Sequence, residues 1–514
     1  MLVVLLAAAA VRLPGLLYRA IWYDEAVTLL ETAGYASPSW PSTPVLAHIA
    51  KKNLAGAPSL HKIAEDLRRT DIYPPVYYWS LSLWRRWFGF SLEVARTFSL
   101  LCSLGTVFVF YLLLRCGNLE YPLVPTIVYA MSTEAVYLGQ EARAYALAVF
   151  LVTTSALLAY LAWRATQYSK RSVVGYSLAM AVCCGAAFQT YYLALFPVDV
   201  ILLWFFVNLW PVSWLIAVAP PLISVSLAGL GFSTLSQQLG ARPSQLVGFV
   251  GIAAESKMLL SLNLQSIWTP YLIPVNQGLA QGVYVSLAVL VGLTLIHLLW
   301  HWQKTNRGLW ILLLVLASVP SLGVAILDFV FNKHLHNLRY LALAEPAFTA
   351  VVTYGITRVL TSRQRLGISL LVIFLGLQML TINWGHPQGF RVHPGLDVRS
   401  LAELIRTSSS PAHIVVIGEG DRNESGHPGS VIYELAPETT IVVLNAESNL
   451  QQLQANIQDY EDVWLVFSVD RGTTEVEYRF LDGLQKSERY QEVFRSWPAI
   501  HLRKGEKANE SGAP

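Results

Sequence analysis

Residues 21–26 read Ile21-Trp22-Tyr23-Asp24-Glu25-Ala26. Two adjacent carboxylates follow two aromatic side chains, a few residues beyond an apolar run over 1–17. Aromatic rings at that depth are ordinary membrane-interface anchors. An acidic pair is less ordinary, because partial desolvation raises a carboxylate pKa unless a cation or metal compensates. A carboxylate poised in this way suits a general base for a hydroxyl group. Asp24 and Glu25 are therefore the candidate catalytic residues. The plainer alternative is a helix N-terminus in which both acids favour the dipole.

Two further groups could do chemistry. The stretch Gly139-Gln140-Glu141-Ala142-Arg143-Ala144-Tyr145 sets Glu141 and Arg143 between two apolar segments. Ionisable residues at a membrane boundary are costly, and they commonly mark sites. Glu134, a turn earlier, reads as a snorkelling side chain. Residues 331–340 read FNKHLHNLRY and gather Lys333, His334, His336 and Arg339. Lys and Arg could hold a phosphate through charge-assisted hydrogen bonds. His334 and His336 are candidate metal ligands, although a spacing of two is thin evidence by itself. Glu25 and Glu141 are the other metal candidates. The plain readings are a solvated turn at 139–145 and a headgroup-contacting loop at 331–340.

The elements that position these residues follow from composition. The 514-residue chain is 13% charged and 54% hydrophobic, with a mean hydropathy of +0.46. A soluble globular chain carries roughly 25% charged residues. Half that share cannot cover a water-facing surface, which excludes a soluble enzyme, a disordered chain and a secreted disulfide scaffold. From 172 to 231 only Asp199 carries a charge at neutral pH. The net charge of +3 is too small to point to nucleic acid. All four cysteines lie in or beside apolar runs, which is poor placement for disulfides.

A membrane helix needs roughly 20 apolar residues, so about eleven spans are expected. They fall at 1–17, 97–114, 121–138, 144–163, three within 172–231, then 279–300, 309–331, 340–357 and 366–383. Residues 1–17 read as a retained span, because Arg12, Pro14 and Gly15 do not resemble a signal-peptide cleavage site. The positive-inside rule then orients the chain. Nine Lys/Arg lie in one set of loops (Arg115, Arg164, Lys170, Arg171, Lys304, Arg307, Arg358, Arg363, Arg365). Only Arg143, Lys333 and Arg339 lie in the short loops opposite. Asp24, Glu25, Glu141, Arg143 and the 333–339 cluster all come out on the outer face. A carboxylate base beside a phosphate-holding cluster there fits transfer of a group carried on a lipid phosphate.

The expected fold is an α-helical polytopic membrane protein over 1–383, with outer loops at about 18–93 and 232–278. Within the first loop, Tyr73-Pro74-Pro75 forces an extended entry into a helix. That helix carries Trp79, Trp84, Trp87 and Phe88 with Arg85 and Arg86, which suits a helix lying in the membrane interface. Residues 46–69 read as a solvated amphipathic helix. From 384 to 514 the chain resembles an ordinary soluble protein. Short β-branched runs at 413–419, 440–445 and 463–469 alternate with helical patterns at 398–407 and 449–460. This predicts a small, accessory α/β domain with a largely parallel sheet, on the outer side. It lacks a phosphate-binding glycine fingerprint.

Three ordered segments then carry a resemblance: RLPGLLYRAIWYDEA (12–26), YPPVYYWSLSLWRRWFGFSLEVARTFSLLCSL (73–104) and QEARAYAL (140–147). The chain resembles bacterial GT-C glycosyltransferases, especially the dolichyl-phosphate-mannose–protein mannosyltransferase-like group that includes the aminoarabinose transferases. HNLRYLALAEPAF (336–348) looks like the family's Arg-Tyr motif, here Arg339 and Tyr340. The resemblance implies a multi-span enzyme with an outward site and a sugar donor on polyprenyl or dolichyl phosphate. Asp24 would be the base or organise it, and Glu25 would assist by positioning or by holding a metal. Glu141 and Arg143 would line the donor site. Some relatives bind a divalent metal, so a metal cofactor stays open. Relatives often carry a His where this chain reads Gln189-Thr190-Tyr191-Tyr192; His334 or His336 would have to replace it.

The function expected is inverting transfer of a sugar to a hydroxyl acceptor (protein, lipid or glycan) at a bacterial plasma membrane. One alternative is a transporter or flippase of a polar or lipid-linked solute, to which Asp199 and Glu134 would point. Against it, no repeat of paired broken spans is visible. Another is a non-catalytic membrane protein whose outer domain binds partners.

Overall fold

The computed structural model describes residues 1–229, 292, 306–331, 338–381 and 397–504. Within these, positions 37, 72, 412, 419–425, 445–450, 452–456, 458, 468–474, 487–489 and 497–498 are not described. The expected outer loop 232–278, the span 279–300 and most of the helix 449–460 lie outside the described residues.

Helices α1 (Leu2–Tyr18), α2 (Tyr23–Ala33), α3 (Ala47–Lys51), α4 (Leu60–Thr70) and α5 (Pro75–Phe88) lead into α6 (Leu92–Cys116). Next come α7 (Leu123–Ala130), α8 (Thr133–Leu138), α9 (Tyr145–Ala165), α10 (Lys170–Phe188), α11 (Leu195–Leu209) and α12 (Trp214–Gly229). After residue 306 follow α13 (Arg307–Phe331), α14 (Leu338–Leu341), α15 (Glu345–Ser362), α16 (Gln364–Thr381), α17 (Val398–Ser408), α18 (Gly426–Glu434) and α19 (Glu475–Lys486). The chain folds into two compact units that do not follow its linear order.

The first unit gathers Met1–Leu17, Leu67–Leu81 and Glu93–Gly385. Its helices carry apolar side chains outward, among them Val3, Leu203, Leu222, Ile326, Phe329 and Val372. Arg12, Glu134, Glu141 and Glu345 are buried inside. Charges inside and apolar groups outside is the arrangement of a protein solvated by lipid. Each buried polar group there needs a partner. Arg12 has three: its Nε donates to Ser103 Oγ at 3.0 Å, and its Nη1 to the Ala8 and Ala130 carbonyls at 2.9 and 2.8 Å. Ser132 donates to Glu345.

Among the described residues, five helical stretches are long and apolar enough to cross a membrane: Leu92–Cys116, Tyr145–Ala165, Lys170–Phe188, Tyr192–Leu209 and Arg307–Leu327. Trp214–Gly229 and Gln364–Gly376 are shorter apolar helices. The span expected at 121–138 is two short helices, α7 and α8, broken at Met131 and Ser132. Ser132 takes an extended conformation there, and its Oγ lies 2.9 Å from the Tyr129 carbonyl oxygen. The multi-pass helical character is clear; among the described residues, five of the about eleven expected spans are long and apolar enough to cross.

The second unit gathers Tyr18–Asp66, Ser82–Leu92 and His386–Pro514. A six-stranded sheet organises it. The strands are β1 (Val45–Leu46), β2 (His413–Gly418), β3 (Thr440–Leu444), β4 (Asp462–Val466), β5 (Tyr490–Ser496) and β6 (Ala499–Lys504). Their order is β1-β3-β2-β4-β6-β5. β3, β2 and β4 run parallel, so Val415 lies opposite Ile441 on one side and Trp464 on the other. β1, β6 and β5 pair antiparallel at the flanks. Every residue of β4 is buried, which is why the parallel strands read as unbroken apolar runs. Their core is built on Ile414, Val442, Leu465, Phe480 and Leu502.

The stretch 46–69 differs from expectation. It supplies edge strand β1, then α3, a 3-10 turn at Lys52–Leu54 and a separate helix α4. Gly56, Ala57 and Pro58 separate the two helical pieces. Arg85 also differs: it is buried in the second unit. Its Nη1 donates to the Leu29 carbonyl at 3.0 Å and to Thr32 Oγ1, and its Nη2 to the Leu54 and Phe90 carbonyls at 2.6 and 3.0 Å. Trp87 next to it is 83% exposed.

Candidate active site

The acidic pair sits in the first turn of α2. Trp22 is extended and precedes the helix, and its carbonyl accepts from the Glu25 and Ala26 N–H groups at 3.1 Å each. Asp24 is half-buried, and its own carbonyl accepts from Thr28 Oγ1 at 3.0 Å. Glu25 is fully buried, with Oε1 3.5 Å from Arg19 Nη2. That pairing offsets part of the cost of burying a carboxylate. It also separates the two acids in role: Glu25 is tied to Arg19, and Asp24 occupies the more open position. α2 ends at Gly34, whose φ of 80° is the left-handed C-cap that glycine adopts without strain.

The first unit holds a cationic and aromatic cluster. Arg143 lies in the turn before α9, with its Cζ 4.6 Å from the Tyr73 ring centroid. Its Nη1 reaches Tyr78 Oη at 3.5 Å, and Tyr78 in turn donates to Asp71 Oδ2 at 2.8 Å. Tyr73 and Tyr145 share a hydrogen bond of 2.5 Å between their hydroxyls. Tyr191 stacks on Tyr73 at 5.9 Å and meets Tyr145 edge-on at 5.4 Å. Tyr340 closes on Tyr191 at 6.3 Å, and the Arg339 Cζ lies 5.9 Å from the Tyr145 centroid.

Two guanidiniums are thus held over a nest of four tyrosines. A guanidinium on an aromatic face keeps its edge N–H donors, and that edge matches a phosphate bidentately. The residues come from separate stretches of chain: the α4–α5 connection, the turn before α9, the end of α10, and α14. Pro74 and Pro75 give Tyr73 its place, because the pair ends one helix and starts the next. Glu141 is fully buried in the same turn as Arg143. Glu134 is buried within electrostatic reach of Glu345, Glu141 and Arg339, so it does not snorkel.

The structure thus brings Arg143, Arg339 and Tyr340 into one cluster and places Asp24 and Glu25 on α2 of the other unit. Lys333, His334 and His336 lie outside the described residues. Sequence reasoning passed over Tyr73, Tyr145 and Tyr191 as site residues. The signal in sequence was the aromatic pair Tyr191-Tyr192 in the break after α10. As for a metal, no group of three or more His, Cys, Asp or Glu gathers among the described residues. Glu25, a candidate ligand, is engaged by Arg19. Among the described residues, therefore, the candidate ligands do not gather into a metal centre.

Two crystal structures of ArnT, the aminoarabinose transferase, from Cupriavidus metallidurans have this fold. The apo form matches with a TM-score of 0.56 and 10% identity, over 98% of this chain and 97% of that one. The form bound to undecaprenyl phosphate matches with a TM-score of 0.57 and 11% identity, over 98% of each chain. The archaeal oligosaccharyltransferase AglB from Archaeoglobus fulgidus, solved with an inhibitory peptide and a dolichol-phosphate, gives a TM-score of 0.45 and 10% identity, over 90% of this chain and 69% of that one. No protein-family model and no curated protein matches the sequence. The fold is the one these ArnT structures have.

Proposed function

We propose that this chain is an integral-membrane glycosyltransferase. It moves a sugar from a polyprenyl-phosphate carrier to a hydroxyl acceptor on the extracytoplasmic face, with inversion at the anomeric carbon. The observation that carries this reading is the pair Arg143 and Arg339 over the tyrosine nest. It occurs in a fold whose relative ArnT was crystallised with undecaprenyl phosphate. The nine-to-three Lys/Arg bias supports the outward orientation. The same reading assigns about eleven spans to 1–383 and an outer α/β domain to 384–514, in a bacterial plasma membrane.

In the proposed reaction the acceptor oxygen attacks the anomeric carbon while Asp24 takes its proton. The bond from that carbon to the phosphate oxygen breaks, and its electron pair leaves with the polyprenyl phosphate. Arg143 and Arg339 meet the charge that develops on the departing phosphate. Glu141 and Tyr340 belong to the donor side, as do Lys333, His334 and His336, which precede Arg339 in the same stretch. Glu25, paired with Arg19, fixes the first turn of α2 so that Asp24 keeps its position.

The test uses the full chain in lipid nanodiscs with a panel of polyprenyl-phosphate sugars, and mass spectrometry of the products. A general base contributes about 10²–10⁴-fold. Asp24→Asn should lose that factor while its thermal unfolding stays unchanged. Full turnover by Asp24→Asn removes the base assignment. Retention of the anomeric configuration removes the inverting mechanism.

A further inference from the structure

The C-terminal region grips the segment that carries the acidic pair. Arg399, at the second position of α17, binds Glu434, the last residue of α18, through two parallel bonds: Nε to Oε2 at 2.9 Å and Nη2 to Oε1 at 3.1 Å. Both partners have a second connection, and both connections lead to the same loop. Glu434 Oε1 accepts from the Ile21 N–H at 3.1 Å, and Arg399 Nη1 donates to the Tyr18 carbonyl at 2.9 Å. The ion pair therefore clamps residues 18–21, three residues before Asp24. Glu434 is largely buried in this position.

The rest of α18 reinforces the grip. Gly426, at its first turn, packs so closely on α2 that a Cβ there would lie 2.7 Å from Val27 Cγ2 and 2.8 Å from Tyr23 Cε2. Tyr23 and Val27 flank Asp24 and Glu25. The residues beside Glu434 hold other parts of the unit: Lys51 Nζ donates to the Tyr433 and Leu435 carbonyls at 2.8 and 2.6 Å, and Tyr433 Oη accepts from the Leu92 N–H at 3.0 Å. α18 is thus a fixed point rather than a mobile helix, and a bidentate Arg–carboxylate pair adds angular precision to it.

We propose that Arg399 and Glu434 are positioning residues for the base, so that the C-terminal region is a working part of the catalytic centre. This rests on the assignment of Asp24 as the base. Misplacing a catalytic group by about 1 Å can cost on the order of 10²-fold. The substrate-binding groups are other residues, so the loss should appear in kcat.

The test uses the full chain in lipid nanodiscs, with Arg399→Met, Arg399→Lys, Glu434→Gln and, as control, Arg406→Ala. Arg406 lies on the same helix, where it is exposed and paired with Glu403 one turn away. Two readouts are taken. Hydrogen exchange of the amides 18–27 reports the clamp without any substrate. Steady-state transfer from a polyprenyl-phosphate sugar reports kcat and the donor KM separately. Arg399→Met should raise exchange at Ile21 at least tenfold and lower kcat about 10–100-fold, with the donor KM within twofold. Arg399→Lys keeps the charge and loses the fork, so it should recover only part of kcat. Glu434→Gln keeps an acceptor for Ile21 and should be the milder of the two partners' variants. Unchanged exchange overturns the clamp. Raised exchange with unchanged kcat, or a loss confined to KM, overturns the positioning role. A wild-type chain that transfers no sugar overturns the proposed function and the catalytic half of this inference, while exchange still decides the clamp.

Discussion

The Arg143 guanidinium lies over the Tyr73 ring, with its Cζ 4.6 Å from the centroid. Tyr73 is itself held by a 2.5 Å hydrogen bond to Tyr145. A stacked guanidinium is fixed in plane, so its donors are aimed before any ligand arrives.

Arg143→Lys tests whether that aim is used. An ammonium keeps the charge but loses the planar fork. The expected result is a rise in donor KM and a fall in kcat/KM of about tenfold or more, since a charge-assisted bond is worth about 1.5–3 kcal/mol. Steady-state transfer with a polyprenyl-phosphate sugar measures it. An unchanged kcat/KM removes Arg143 from the donor site.

Arg85 makes a different prediction, about stability. It is buried, and it serves carbonyls of Leu29, Leu54 and Phe90 that would otherwise face an apolar interior. Leaving a buried acceptor unsatisfied costs about 1–3 kcal/mol. Arg85→Met leaves several unsatisfied, so it should destabilise the second unit by at least about 3 kcal/mol. Arg85→Lys cannot span the same set and should recover only part. Pulse proteolysis of the full chain in detergent, read on peptides from 18–66, checks both. Exposed Arg86→Met is the comparison and should change little.

What the sequence made legible was local. The acidic pair in the first turn of a helix, the proline-led start of α5 and the β-branched runs of β2, β3 and β4 depend on neighbours in sequence. What it concealed was long-range. Arg85 reads as a solvated interfacial cation because its spacing among Trp84, Arg86 and Trp87 fits that role. Its acceptors come from chain 31 and 56 residues away, and carbonyls are invisible to composition. The same holds for β1: Val45 and Leu46 are two residues in a polar stretch, and only pairing with Ile441 and Thr440 makes them a strand. Tyr191 joins Tyr73 and Tyr145 across more than 110 and 40 residues respectively. No periodicity reports such a meeting.

Gly56 offers a steric test of how the segment 18–66 packs. A Cβ there would lie 2.6 Å from the carbonyl oxygen of Ala33, at the end of α2. That atom is backbone and cannot swing away as a side chain would. Gly56→Ala should therefore cost about 1–3 kcal/mol, the usual range for an overpacked site. The expected signature is faster hydrogen exchange in the last turn of α2, with the sheet amides unaffected. Wild-type exchange there would show that the loop simply moves aside.

The last prediction concerns pH and the C-terminal sheet. His427 is buried in α18, and burial lowers its pKa to about 4, with the backbone of Val466 opposing the shift weakly. In the unfolded chain a histidine titrates near 6.5. Between those values the unfolded chain holds the extra proton, so stability rises with pH and is lost as pH falls from about 6.5 to about 4. At about 1.4 kcal/mol for each unit of difference, the loss across this window is roughly 3 kcal/mol. Asp462 does not share the window. Burial pushes its carboxyl up, but hydrogen bonds from Arg503, the Ser410 N–H and His501 outweigh that and hold it at about 2. Its contribution is present above about 4 and is lost only as pH falls from there through about 2. His501, which stacks on Trp464 at 4.2 Å, is also lowered by burial, with Asp462 opposing, so it acts in the same direction as His427. His427→Leu therefore isolates one contribution. The variant should show a shallower fall in stability between pH 6.5 and 4.5 than the wild-type chain. Pulse proteolysis of the full chain, read on peptides from β2, β3 and β4, gives both slopes. Equal slopes would mean that the imidazole is not buried neutral in the folded protein.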